Sequence, residues 1–259
     1  MTETPATESA RRALGLIDLT NLNDDCTTAD ISALTERTVT SHGSVAAVCV
    51  WPRFVAQAVG ELKGTGVKVA TVVNFPGGGT ETTAVVAETK QAIEDGVDEI
   101  DLVMPYRAFL DGRKGYAEEQ IIRVKAAIPE PAILKVILET GEIADPLLIH
   151  LASEIAIGAG ADFIKTSTGK VAVNATLEAA EIMLTAIEEA RRDHQRTVGF
   201  KPAGGIRTLE DASAYLMLAD RIMGRNWVSA STFRFGASGL LDALIAVLEN
   251  TEPDAGDGY

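Results

Sequence analysis

Five ionisable side chains lie inside apolar segments of the chain. They are Asp18 in LGLIDLT (14–20), Asp101 in DEIDLVM (98–104), Lys135 in AILKVILE (132–139), Lys165 in FIKTS (163–167) and Lys201 in VGFKPAGG (198–205). A charge packed into an apolar interior is costly unless it is paired. One Asp–Lys pair would read as a satisfied buried ion pair. Three lysines and two aspartates from five segments are an expensive way to gain stability, and they read as a site. Lysine narrows the chemistry. A free amine has a pKa near 10.4, so only about one in 2,500 is neutral at pH 7. Burial and a neighbouring ammonium both disfavour the charged form. Lys165 and Lys201 fall on successive segments, so each is expected to depress the pKa of the other. A neutral lysine attacks a carbonyl carbon and forms a Schiff base.

Glycine placement adds a second signal. TSTGK, AGGIRT and FGASG each follow one of the last three apolar segments and precede a helical pattern. Such turns present backbone N–H groups to an anion, and the following helix adds its dipole. One such loop would read as a tight turn. Three of them beside a Schiff-base lysine point to a phosphorylated carbonyl substrate.

These residues need a scaffold that brings the ends of several strands together. Eight segments read as strands: 14–20, 45–51, 68–75, 98–104, 132–139, 163–167, 198–205 and 233–238. They are rich in aliphatic and β-branched residues, as buried parallel strands require. Helical spacing covers 82–96, 115–129, 176–192, 208–224 and 240–250. Thr208 and Asp211 form a capping-box pattern at the start of the fourth of these. Regular alternation without a linker predicts one α/β domain over residues 1–259, a (β/α)8 TIM barrel with a polar lead-in over about 1–10 and a flexible tail over about 251–259. The competing reading is an open doubly wound sheet, which carries a glycine-rich loop after its first strand; LIDLTNLND has no glycine there. Strand faces alternate, so the five charges are expected to face the barrel lumen near its C-terminal mouth.

Composition excludes several partners. The net charge of −14 disfavours nucleic acid and anionic membranes. No apolar run approaches the roughly 20 residues of a membrane helix. MTETPATESA lacks the pattern of a secretory signal. Cys26 and Cys49 form neither a disulfide framework nor a metal spacing. With no leader, a cytoplasmic location is expected. His42, His150 and His194 are scattered through a loop and two helical patterns, so no histidine-based metal site or triad is expected.

FIKTSTGK, GFKPAGGIRT and FRFGAS, together with EIDLVMPYRAF and LIDLTNLND, closely resemble the 2-deoxyribose-5-phosphate aldolases, and most nearly the enterobacterial type. The resemblance covers nearly the whole chain. It implies a class I aldolase of deoxyribonucleoside catabolism that needs no metal or other cofactor and reversibly cleaves 2-deoxy-D-ribose 5-phosphate to acetaldehyde and D-glyceraldehyde 3-phosphate. It implies that Lys165 forms the Schiff base, that Lys201 is the second essential lysine and that Asp101 relays protons. It places the phosphate on Gly169, Lys170, Gly204, Gly205, Gly236 and Ser238. Asp18 and Lys135 are expected to form a supporting polar layer, and a homo-oligomer, with a dimer favoured, is expected. Two positions depart from the family pattern: Trp51 stands where tyrosine is commoner, and Gly239 where a second serine is common. The latter removes one hydroxyl from the expected phosphate site. Cys49 reads either as inert packing or as a lumen thiol open to alkylation by enals. Tyr259 ends a Pro/Gly/Asp-rich tail whose extended length would let its hydroxyl reach the mouth as a general acid. The competing readings are another Schiff-base barrel enzyme such as a transaldolase or fructose-bisphosphate-type aldolase, a non-catalytic phosphosugar-binding barrel, and a metal-dependent aldolase.

Overall fold

The structure is a computed structural model that describes residues 4–251. Its barrel strands are β1 (Ile17–Asn21), β2 (Ala47–Val50), β3 (Lys68–Val73), β4 (Glu99–Val103), β5 (Ile133–Ile137), β6 (Phe163–Lys165), β7 (Gly199–Lys201) and β8 (Phe235–Ala237), and a separate two-residue antiparallel pair joins Val39–Thr40 to Gly43–Ser44. All neighbours pair in parallel, in chain order, and β8 returns to pair with β1. Backbone bridges Phe200–Phe233 and Ala203–Gly236 join the β7 and β8 segments and close the ring. The fold is the expected (β/α)8 barrel. Every strand is shorter than the apolar run that announced it, and β7 shows why. Pro202 has no N–H to continue the ladder, and Gly204 and Gly205 follow with φ of 85° and 84°.

The helices are α1 (Pro5–Leu14), α2 (Thr28–Glu36), α3 (Val55–Glu61), α4 (Thr82–Glu94), α5 (Tyr106–Leu110), α6 (Lys114–Lys125), α7 (Thr140–Ile143), α8 (Pro146–Gly158), α9 (Leu177–His194), α10 (Leu209–Met223) and α11 (Leu240–Glu249). The expected polar lead-in is corrected by α1. Thr4 caps it, Pro5 occupies its first turn, and Ala10, Ala13 and Leu14 are buried. Its apolar face is built from alanines, which a reading of polarity overlooks. Arg12 then pairs with Asp220 of α10 through both carboxylate oxygens, at 2.5 and 2.6 Å. The capping box of Thr208 and Asp211 is present at α10.

Alternation along the strands separates two environments. Ile100 and Leu102 of β4 are buried in the main apolar core, while Glu99 and Asp101 share the opposite parity. A small second cluster of Leu22, Cys49, Ala70 and Val72, flanked by Trp51 and Phe75, lines one wall of the lumen. No described helix is long and apolar enough to cross a membrane. The expected tail from 252 onward, including Tyr259, lies outside the described residues.

Candidate active site

The register brings the charged positions onto neighbouring strands. Asp101 stands opposite Lys135, and Lys165 opposite Lys201. Asp101 is the hub. Its Oδ2 accepts from Lys165 Nζ at 2.8 Å and from Lys201 Nζ at 2.8 Å, and its Oδ1 accepts from Lys135 Nζ at 2.9 Å. Lys201 also donates to Asp18 Oδ2 at 2.5 Å. Lys135 reaches Glu99 Oε2 at 2.5 Å. Arg234 closes the lattice: Nη1 donates to Asp18 Oδ1 at 2.6 Å and Nη2 to Glu99 Oε1 at 2.8 Å. All seven side chains are buried. Three carboxylates thus face four cations, and Lys165 has one carboxylate partner where Lys201 has two and Lys135 three.

These contacts set the protonation states. Burial pushes the Asp18 carboxyl up, but Lys201, Arg234 and Lys135 outweigh it and hold the group well below the usual carboxylate range. Asp101 behaves in the same way, with Lys135, Lys165 and Lys201 overcoming burial. For Lys201 the expected mutual depression is corrected. Burial does act to lower its pKa, yet Asp101 and Asp18 prevail and hold the ammonium well above the ordinary lysine value. Lys135 is raised likewise, by Asp101 and Glu99 against burial. Like charges weaken an ammonium only where carboxylates do not stand between them.

Above the lattice the lumen opens into a cavity of about 400 Å³. Lys165 lines it, while Lys201 and Asp101 lie beneath. The glycine loops form its rim: Gly169 and Lys170 after β6, Gly204 and Gly205 after β7, Gly236 and Ser238 at β8. Gly169 adopts φ of 84°, as the two β7 glycines do, a conformation that L side chains rarely hold. Gly236 is required for another reason. A Cβ there would meet Ala203 Cβ at 2.7 Å and Lys201 Cε at 3.2 Å, so its bare backbone makes room for the lysine stem. The loops after β7 and β8 lead into α10 and α11, the arrangement that barrels use to hold phosphate. Lys170 Nζ stands 3.6 Å from Asp24 at the rim. Thr20, Asn174 and Arg207 also line the cavity.

The structure therefore brings Asp18, Asp101, Lys135, Lys165 and Lys201 together, with the rim glycines above them. Cys49 is buried on the lumen side, and burial together with Asp101 raises its thiol pKa, which keeps it protonated. Glu99 and Arg234 were missed. Glu99 sits two residues before Asp101, and that i, i+2 spacing is a signal for a shared strand face. Arg234 stands just ahead of β8 in FRFGAS, held by a backbone bond from its N–H to Phe200 O at 3.0 Å.

Comparison with known proteins agrees with this geometry. Residues 12–241 match the model of the DeoC/LacD family aldolases. The chain is 58% identical to a deoxyribose-phosphate aldolase of Agrobacterium fabrum strain C58 over 254 residues, covering 97% of this chain and 96% of that one. A Toxoplasma gondii ME49 structure, provisionally assigned as a deoxyribose-phosphate aldolase, superposes with a TM-score of 0.85 at 26% identity, covering 96% of this chain and 99% of that one. A tetrameric deoxyribose phosphate aldolase from Aeropyrum pernix shares the fold, with a TM-score of 0.74 at 22% identity and coverage of 95% and 98%.

Proposed function

Because the chain belongs to the DeoC/LacD family of aldolases, we propose that it reversibly cleaves 2-deoxy-D-ribose 5-phosphate to acetaldehyde and D-glyceraldehyde 3-phosphate through a Schiff base on Lys165. It is a carbon–carbon lyase. One observation carries the residue assignment: of the four lattice cations, Lys165 alone lines the cavity. The other three are enclosed by carboxylates.

The steps follow from these positions. Unprotonated Lys165 Nζ attacks C1 of the open-chain sugar, and the carbonyl oxygen takes a proton. Loss of water leaves a protonated imine, whose positive charge sits beside Asp101 Oδ2. At rest Asp101 is anionic and Lys201 cationic, which holds the imine electrostatically; in each transfer the carboxylate takes a proton from a bridging water, the ammonium gives one to it, and both then return to their resting states. Removal of the 3-hydroxyl proton breaks C2–C3. The bond's electrons move into the imine, giving an enamine and releasing D-glyceraldehyde 3-phosphate. Protonation at C2 and hydrolysis free acetaldehyde and regenerate Lys165. The rim at Gly169, Lys170, Gly204, Gly205, Gly236 and Ser238 holds the phosphate, remote from the bond that breaks, where its binding energy orients C1 toward the lysine.

Finer readings rest on narrower support. The enterobacterial type and a place in deoxyribonucleoside catabolism follow from the motif resemblance alone. A single domain fits the closed ring of strands. A cytoplasmic location fits the composition. A homo-oligomer, with a dimer favoured, is the reading for assembly that the family resemblance suggests. The substrate test is a donor comparison: acetaldehyde should condense with D-glyceraldehyde 3-phosphate, and dihydroxyacetone phosphate should be inert as donor. Condensation with dihydroxyacetone phosphate instead would reassign the chain to a fructose-bisphosphate-type reaction.

A further inference from the structure

Glu139 is a fully buried carboxylate outside the ion lattice. It follows β5 directly and adopts a left-handed conformation, φ 62° and ψ 58°, which glutamate rarely holds. The chain on either side of it is fixed. Leu138 N–H donates to Lys165 O at 3.0 Å, and Thr140 N–H donates to Thr166 O at 3.0 Å. The backbone reversal between those two bonds directs the side chain onto Thr168. Oε1 accepts from the Thr168 N–H at 3.1 Å, and Oε2 accepts from the Thr168 hydroxyl at 2.6 Å. The same hydroxyl oxygen accepts the N–H of Lys170 at 3.0 Å. One carboxylate therefore fixes the turn from Thr168 through Gly169 to Lys170. Close packing fastens the same loop a second time. A Cβ on Gly141 of α7 would lie 1.9 Å from Val173 O, so α7 is pressed onto the loop without any intervening side chain. Backbone strain of this kind persists where the surroundings over-determine it, and it clusters at working sites.

We propose that Glu139 is a positioning residue for the phosphate end of the substrate: it holds the loop after β6 in the shape that receives the phosphate, and takes no part in the chemistry at Lys165. The inference rests on the assignment of that rim to phosphate. Burial raises the Glu139 pKa, while the two bonds from Thr168 and the charge of Lys165 oppose that rise.

The test compares 2-deoxyribose 5-phosphate with unphosphorylated 2-deoxyribose in the full-length enzyme. Glu139→Ala removes both acceptors. The KM for the phosphorylated sugar should rise by about ten-fold or more, with kcat changed by less than about three-fold. Cleavage of 2-deoxyribose should change by less than about two-fold. Glu139→Gln keeps an acceptor for the Thr168 N–H and should recover part of the loss; if the alanine variant does not fold, the glutamine variant carries the same comparison. Equal losses on both sugars, or no loss on either, would overturn the positioning role. A wild-type enzyme that shows no preference for the phosphorylated sugar would overturn the rim assignment beneath it, a result separable from the failure of Glu139 alone.

Discussion

The floor and the rim of the cavity use polar groups in opposite ways. On the floor, Asp18, Glu99, Asp101, Lys135, Lys201 and Arg234 satisfy one another through buried contacts, all short except the 3.7 Å approach of Lys135 to Asp18. Carboxylates facing cations lower the pKa values of Asp18 and Asp101 and raise those of Lys135, Lys201 and Arg234. At the rim, polarity comes from backbone turned by glycines and from side chains that face open space, among them Ser238, Lys170 and Arg207. The floor is organised before any ligand arrives; the rim is organised to receive one. Lys165 lies on the boundary. It shares Asp101 with the floor and lines the cavity with the rim. Such a boundary, with one carboxylate to steady a charge and open space toward the cavity, suits the proposed cycling of Lys165 between ammonium, amine and imine.

Breaking the boundary has the largest expected effect. Lys165→Leu should lower kcat/KM by about 10⁴-fold or more and still fold, because Asp101 keeps Lys135 and Lys201 as partners. A variant with residual activity above about one part in a hundred would move the nucleophile elsewhere. Next comes the floor. Arg234→Met leaves Asp18 and Glu99 each short of a partner, and should lower unfolding stability by about 3 kcal/mol, read by denaturant titration.

The contrast also tracks what the sequence disclosed. All eight barrel strands were legible, because buried parallel strands are continuous aliphatic runs. Their ends were not, since Pro202 and the glycines that stop β7 lie inside the same apolar-looking stretch. Helix α1 was hidden by its polar letters, and α8, with PLLIHLASEIAIG apolar on nearly all sides, lacks an amphipathic stripe. Lys165, Lys201 and Asp101, the proposed reacting groups, stand out as charges among apolar neighbours. Glu99 did not, because DE at the start of a strand reads as the end of a turn. Nor did Arg234, two residues after a serine-rich turn. Neighbouring lysines alone point to a lowered Lys201 pKa, whereas Asp101 and Asp18 raise it. The sequence shows which lysines are neighbours, but the carboxylates lying between them emerge only from strand register.

A smaller effect separates floor from rim by pH. A carboxylate held below its unfolded value stabilises the fold above the ordinary range, about pH 4, and that contribution is lost as pH falls through its folded value. The stabilisation by Asp18 should therefore persist from pH 9 down to about pH 5 and fade only below pH 4. The difference in Tm between wild type and Asp18→Asn measures it. A difference that already shrinks at pH 6 would mean that Asp18 is not held by Lys201 and Arg234 as described. The smallest effect is expected at the rim itself. Ser238→Ala removes one hydroxyl and should raise KM for the phosphosugar by about three- to ten-fold with little change in kcat. A fall in kcat without a change in KM would place Ser238 in the chemistry and blur the division.

The central claim is that Lys165 forms the covalent intermediate. Incubation with acetaldehyde and borohydride, followed by peptide mass mapping, tests it most directly. The enzyme should gain one ethyl group, on Lys165, with Lys135, Lys170 and Lys201 unmodified. An ethyl group on another lysine with Lys165 untouched, or no adduct alongside measurable turnover, would contradict it.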